Sequence, residues 1–138
     1  MTLADFNEIE PIYNSHFDDF WSSQNLKAEL ENKSYKCIVA KQNSEIVGFA
    51  SIWFSVDDAH ITNIVVHKAY RHNGIGKLLL EKLIELSKVK SSLTLEVNTK
   101  NEIAQDMYLK YGFRNLGIRK NYYDGKEDAY IMTLYFNK

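Results

Sequence analysis

The chain has one cysteine and one proline in 138 residues, and no apolar run approaching the ~18 residues of a membrane-spanning helix. A lone Cys37 excludes an internal disulfide. Set in KCIVA, it falls in an expected strand, where core packing is weighed against a nucleophile's role. A single proline and 45% apolar residues describe a globular chain rather than a disordered one. An excess of charge of one sign is lacking too. Seventeen basic and 18 acidic residues are interspersed to a net charge of −1, so no stripe points to direct nucleic-acid binding. Without an apolar span or a signal-peptide pattern, the expectation is a cytoplasmic protein with no membrane partner. The length suits one domain over residues 1–138 and is short for two.

Four histidines invite a metal check. His60 and His67 share an expected strand at an odd offset, which sends them to opposite faces, and one cysteine cannot complete a ligand set. No metal is expected.

What is present is concentrated in ITNIVVHKAYRHNGIGKLLLEKLIELSK, residues 61–88. Ile61 to His67 is β-branched and apolar and reads as a buried strand. Gly74 to Val89 changes to helical period, with Ile75, Leu79, Leu83 and Leu86 on one face and Lys77, Glu81, Glu85 and Lys88 on another. Between them, Arg71-His72-Asn73-Gly74-Ile75-Gly76 places two glycines at a helix mouth, where unpaired N–H groups attract a phosphate or pyrophosphate. A magnesium-holding phosphate loop would need Ser or Thr after Gly76-Lys77, and Leu78 stands there. A dinucleotide fingerprint would need a third glycine where Leu79 stands. R-x-x-G-x-G after a strand remains, beside the plain alternative of a turn that merely uses glycine.

The rest of the chain alternates in the same manner. A helix is expected from about Asp5 to His16, an aromatic and acidic loop over residues 17–21, and a second helix capped by Ser22 or Ser23 to about Glu31. Strands follow at Lys36 to Lys41, Glu45 to Ser55, His60 to His67 and Ser92 to Val97, with turns at Asn43-Ser44 and Asp57-Asp58. The two aspartates read as a solvated turn or as an attraction for a cationic substrate. Asn101 caps a helix running to about Lys110, Gly112 ends it, and Asn115 to Tyr123 with Glu127 to Phe136 forms a hairpin. Thr94 and Glu96 share one face of their strand and Leu93, Leu95 and Val97 the other.

The glycine loop looks like the acetyl-CoA pyrophosphate loop of the GNAT N-acetyltransferases. Further on, LEVNTKNEIAQDMYLKYGF and GIRKNYYDGKEDAYIMTL resemble the RimI branch of that superfamily, the ribosomal-protein-alanine N-acetyltransferases. The resemblance runs from about Asp5 to Leu134 and is most specific in RKNYYDGKEDAYIM. It implies the α/β GNAT fold, a mixed sheet flanked by helices, with a first strand that is short or missing here.

By the same resemblance the cosubstrate is acetyl-CoA. Its pantetheine would pair with main-chain groups of Ile64, Val65 and Val66, one of whose N–H groups faces the thioester oxygen. Its pyrophosphate would be held by the loop Arg71, His72, Asn73, Gly74, Ile75, Gly76 and Lys77, with Asn101 a further contact. Glu96 matches the general base of the branch and Tyr108 its general acid, against the plainer roles of a surface ion pair and a core aromatic. Phe17, Phe20 and Trp21 are acceptor-pocket or core residues, and Tyr122, Tyr123 and Asp124-Gly125 would line the acceptor groove.

An ordinary carboxylate is a weak base for an amine near pKa 8, so either a water relay or a raised carboxylate pKa is expected. An ordinary phenol near 10 can protonate a thiolate near 8.5 at a cost of about 2 kcal/mol. An α-amine is neutral to roughly 20% at pH 7.4 and a lysine to about 0.1%, which favours a protein N-terminus as acceptor. The implied partner is a ribosomal protein tail. The alternatives are a related acetyltransferase for other N-termini, lysines or small amines, and a non-catalytic acetyl-CoA-binding module.

Overall fold

The computed structural model describes residues 33–70, 73–123 and 127–136, with backbone only at 121–123. The expected N-terminal helices, the question of a first strand, Phe17, Phe20, Trp21, Arg71, His72 and Asp124-Gly125 therefore lie outside the described residues. Among the described residues, six strands are ordered β1-β2-β3-β4-β6-β5. They are β1 (Tyr35–Gln42), β2 (Glu45–Phe54), β3 (Asp58–Val66), β4 (Ser92–Asn98), β5 (Arg114–Tyr123) and β6 (Glu127–Tyr135), with α1 (Ile75–Ser87) and α2 (Glu102–Lys110) between them. Contacts group the chain into two units, residues 1–54 with 61–86 and residues 55–60 with 87–138.

In the first unit, β1 and β2 form an antiparallel hairpin from Tyr35 opposite Trp53 to Gln42 opposite Glu45. Its turn residues, Asn43 (φ 52°) and Ser44 (φ 69°), are both left-handed, the two-residue turn whose twist matches the strands. Ile46 to Ile52 is buried without a break, so β2 is covered on both faces and Cys37 packs in the core beside it. Helix α1 buries Ile75, Leu79, Leu80, Leu83 and Ser87. The expected apolar face holds as far as Leu83. Beyond it the buried row continues at four-residue steps to Ser87, which leaves Leu86 half-buried.

After β3, the N–H of His67 donates to Val47 O at 2.8 Å, and His67 Nδ1 accepts from the Ala69 N–H at 3.0 Å. These bonds fold the 3₁₀ turn Lys68–Tyr70 that leads to α1.

In the second unit, β3 starts beside β4 in parallel register, Asp58 opposite Ser92, Ala59 opposite Leu93 and His60 opposite Thr94. Asp58 anchors this start: its carboxylate accepts from Ser92 Oγ at 2.6 Å and its carbonyl from the Ser55 N–H at 2.9 Å. Strand β6 lies antiparallel to both β4 and β5. Leu93, Leu95 and Val97 are buried while Thr94 and Glu96 alternate with them, as the residue pattern predicts.

Candidate active site

The glycine loop forms the mouth of a helix. Gly74 has a φ of +81°, a left-handed conformation that glycine adopts at little cost, and a Cβ there would meet nothing within 4 Å among the described residues. The Leu78 N–H donates to Gly74 O at 3.1 Å, making Gly74 the cap residue. The N–H groups of Ile75, Gly76 and Lys77 are thus the first of α1 and have no acceptor within the helix. A Cβ on Gly76 would meet only Val66 Cγ2, at 3.8 Å. Asn73 Nδ2 donates to Tyr70 O at 3.3 Å, which ties the loop to the preceding turn. A cradle of backbone donors with no side chain of the described residues over it fits a pyrophosphate.

A second, unforeseen glycine holds this helix in place. A Cβ on Gly48 would stand 3.1 Å from Val65 O and 3.2 Å from both Ile75 Cγ2 and Leu79 Cδ1. The bare backbone of β2 therefore lets the first turn of α1 lie close against it. Position 48 reads as an ordinary strand residue, and only the packing of α1 shows why it is small.

Glu96 lies on β4 in the second unit, with its side chain 4% exposed. Its Oε2 is 2.6 Å from His60 Nε2, and its Oε1 is 3.6 Å from an Arg119 guanidinium nitrogen. The register explains both contacts. His60 stands opposite Thr94, so Glu96 is the next residue along the same face of β4. On the other side, Glu96 pairs with Ile131 of β6 and Arg119 with Ala129 of β6, two positions along one face of that strand. Neither His60 nor Arg119 was indicated as a partner by the sequence, because parity gives a face and only register gives a neighbour.

Tyr108 is carried by α2, which is fixed at both ends. Asn101 Oδ1 accepts from the Ala104 N–H at 3.1 Å, so the expected cap is present. Gln105 Nε2 donates to the carbonyls of Asn98 and Thr99, both at 3.0 Å, and binds the helix to the end of β4. At the other end, the Tyr108 carbonyl accepts from the N–H groups of Tyr111 and Phe113, and Gly112 turns the chain with a φ of +95°.

The Tyr108 ring is 8% exposed and packs at a tilt against Phe113, centroids 5.7 Å apart. Burial pushes its phenol up to about 12. The hydroxyl has no hydrogen-bond partner among the described residues, yet the one sealed polar atom without a partner among them is Asn63 Oδ1. Protonating a thiolate near 8.5 from a phenol near 12 costs about 5 kcal/mol, more than for an ordinary phenol. As a hydrogen-bond donor it stays fully protonated through neutral pH.

The chain is similar to known proteins along its whole length. The family described as "Acetyltransferase (GNAT) domain" matches residues 3–126. The chain belongs to the GNAT acetyltransferase family. A Bacillus subtilis relative, with a provisional name as a ribosomal protein bS18-alanine N-acetyltransferase, is 38% identical over 142 residues, covering 100% of this chain and 94% of its own. The crystal structure of the Escherichia coli ribosomal-protein-S18-alanine N-acetyltransferase is 31% identical and superposes with a TM-score of 0.89, over 100% of this chain and 92% of that one. A GNAT acetyltransferase of Elizabethkingia anophelis with acetyl-CoA bound is 27% identical, with a TM-score of 0.73 over 83% of this chain and 84% of that one. The expected GNAT fold with its mixed sheet is the observed one.

Proposed function

We propose that this GNAT acetyltransferase uses acetyl-CoA to acetylate the α-amine of an N-terminal alanine on a small-subunit ribosomal protein. The observation that carries the acceptor class is the likeness, along the entire chain, to relatives named for that reaction on bS18. Such an acceptor would be met in the cytoplasm, as a protein tail rather than as RNA, which suits a net charge of −1.

Acetyl-CoA supplies the activated acetyl group as a thioester. The N–H groups of Ile75, Gly76 and Lys77, with Asn73, Gly74 and the neighbouring Arg71 and His72, would hold its pyrophosphate. Ile64, Val65 and Val66 would face its pantetheine. Asn101, at the start of α2, would add a contact alongside its capping role.

Glu96 is assigned to the end of the site where the amine loses its proton, and Tyr108 to the end where the sulfur gains one. A site relying on modest bases suits an α-amine, of which roughly 20% is already neutral at pH 7.4. The experiment is mass spectrometry of protein N-termini from cells with and without the gene. A ribosomal protein beginning with alanine should lose its acetyl group in the deletion strain. An unchanged set of acetylated N-termini would overturn the assignment.

A further inference from the structure

We propose that the group taking the proton from the acceptor amine is the imidazole of His60, with Glu96 as the buried carboxylate that orients it; this rests on the acetyl-transfer reading above. Glu96 has both oxygens engaged, one 2.6 Å from His60 Nε2 and the other 3.6 Å from Arg119, and its side chain is 4% exposed. A carboxylate so enclosed offers an incoming amine little surface. His60 is 31% exposed, and among the described residues nothing bonds its Nδ1.

An ionised carboxylate can only accept hydrogen bonds, so the ring proton of a neutral His60 belongs on Nε2 and the lone pair is left on Nδ1. Arg119 lies 3.6 Å from the other oxygen, an ion pair that favours the carboxylate orientation facing the ring. This is the arrangement of a base oriented by a third group, which a carboxylate acting alone does not need.

The chemistry favours the same assignment. Imidazoles as a class are stronger bases than carboxylates. As the nitrogen–carbon bond forms and the carbon–sulfur bond of the thioester breaks, the amine's proton passes to Nδ1, and the Tyr108 hydroxyl supplies the proton taken up by sulfur. Solvent then returns the proton from His60 to the phenolate, so atoms and charge balance. His60 is the catalytic residue in this scheme. Glu96 and Arg119 are positioning residues.

The test measures turnover of an alanine-led peptide by His60→Ala, His60→Gln and Glu96→Gln, with and without added imidazole, alongside nitrogen NMR of the histidine tautomer in the wild type. For His60→Ala, kcat should fall by at least about tenfold with peptide KM little changed, and imidazole should restore much of the loss. His60→Gln can still bond Glu96 and should be as slow. Glu96→Gln should be slowed but not rescued by imidazole, because its ring is present and misdirected.

The NMR spectrum should show the neutral His60 protonated on Nε2. Turnover by both His60 variants within about threefold of wild type would overturn the proposal, as would a loss that imidazole leaves untouched. A proton found on Nδ1 would also overturn it, and that measurement needs no acceptor. Failure of the wild type to acetylate any alanine-led peptide would instead strike the acceptor reading, with the tautomer still deciding the role of His60.

Discussion

Gly48 approaches Ile75 so closely that a methyl group on it would stand 3.2 Å from Ile75 Cγ2, while also meeting Val65 O at 3.1 Å. That carbonyl is backbone of β3 and cannot yield as the side-chain tips of Ile75 and Leu79 can, so Gly48→Ala must shift β2 against β3 as well as displace the two α1 side chains. The expected cost is about 1–3 kcal/mol in urea unfolding. Gly117→Ala is the control, because a Cβ at that position meets nothing within 4 Å. It should change stability by less than about 0.5 kcal/mol.

Gly74→Asp and Gly76→Asp test the anion cradle. Neither position is crowded. At Gly76 an aspartate lies in the first helical turn and favours the helix, whereas at Gly74 the φ of +81° adds about 1–2 kcal/mol of backbone strain, so Gly76→Asp is the cleaner variant. What the substitutions add is negative charge where a pyrophosphate would lie. Calorimetry should show acetyl-CoA affinity reduced by at least about tenfold in both variants, and much less in His72→Ala. Unchanged affinity in both glycine variants would remove the loop from the binding site.

The buried phenol of Tyr108 gives a pH signature. Its value is raised in the folded state to about 12 from the 10 of an exposed tyrosine. Below pH 10 both states hold the proton and stability is unaffected. Between about pH 10 and 12 the unfolded chain releases it first, so stability falls by roughly 2–3 kcal/mol across that window. Tyr108→Phe should remove this part of the alkaline decline. The same variant should lower kcat by at least about tenfold while leaving acetyl-CoA affinity intact. A loss below about threefold with chemistry rate-limiting would reduce Tyr108 to a packing residue.

The strands and helices between Tyr35 and Tyr135 were legible because each carries a local signal. Alternation in β4, the glycines at the helix mouth and the Asn101 cap all place their elements within a few residues. The partners of Glu96 were not legible. His60 lies 36 positions earlier, and a one-residue slip of β3 on β4 would turn the ring to the other face. Arg119 meets Glu96 across β6, through two registers that no spacing encodes. The Asp57-Asp58 turn was ambiguous for the same reason. Only the pairing of Asp58 with Ser92 shows that its carboxylate anchors a strand start.

Asn101 has two assigned roles that a pair of variants separates. Its side chain caps α2 through the Ala104 N–H. Asn101→Ala should cost about 1 kcal/mol in stability, whereas Asn101→Asp keeps the cap. If Asn101 also touches acetyl-CoA, the aspartate variant should keep its stability and still bind the cosubstrate several-fold more weakly. Equal affinity in Asn101→Asp would leave the cap as its sole role.

The central claim is that the acceptor is a protein α-amine. The direct measurement offers two peptides to the purified protein with acetyl-CoA near pH 7.4, and reads initial rates by mass spectrometry. One peptide carries a free N-terminal alanine; the other has the same sequence blocked at its N-terminus and carries a lysine. The account predicts a preference for the free alanine of well over about tenfold, since a lysine amine is roughly 200-fold less often neutral at that pH. Equal rates on the two peptides, or a preference for the lysine, would contradict it.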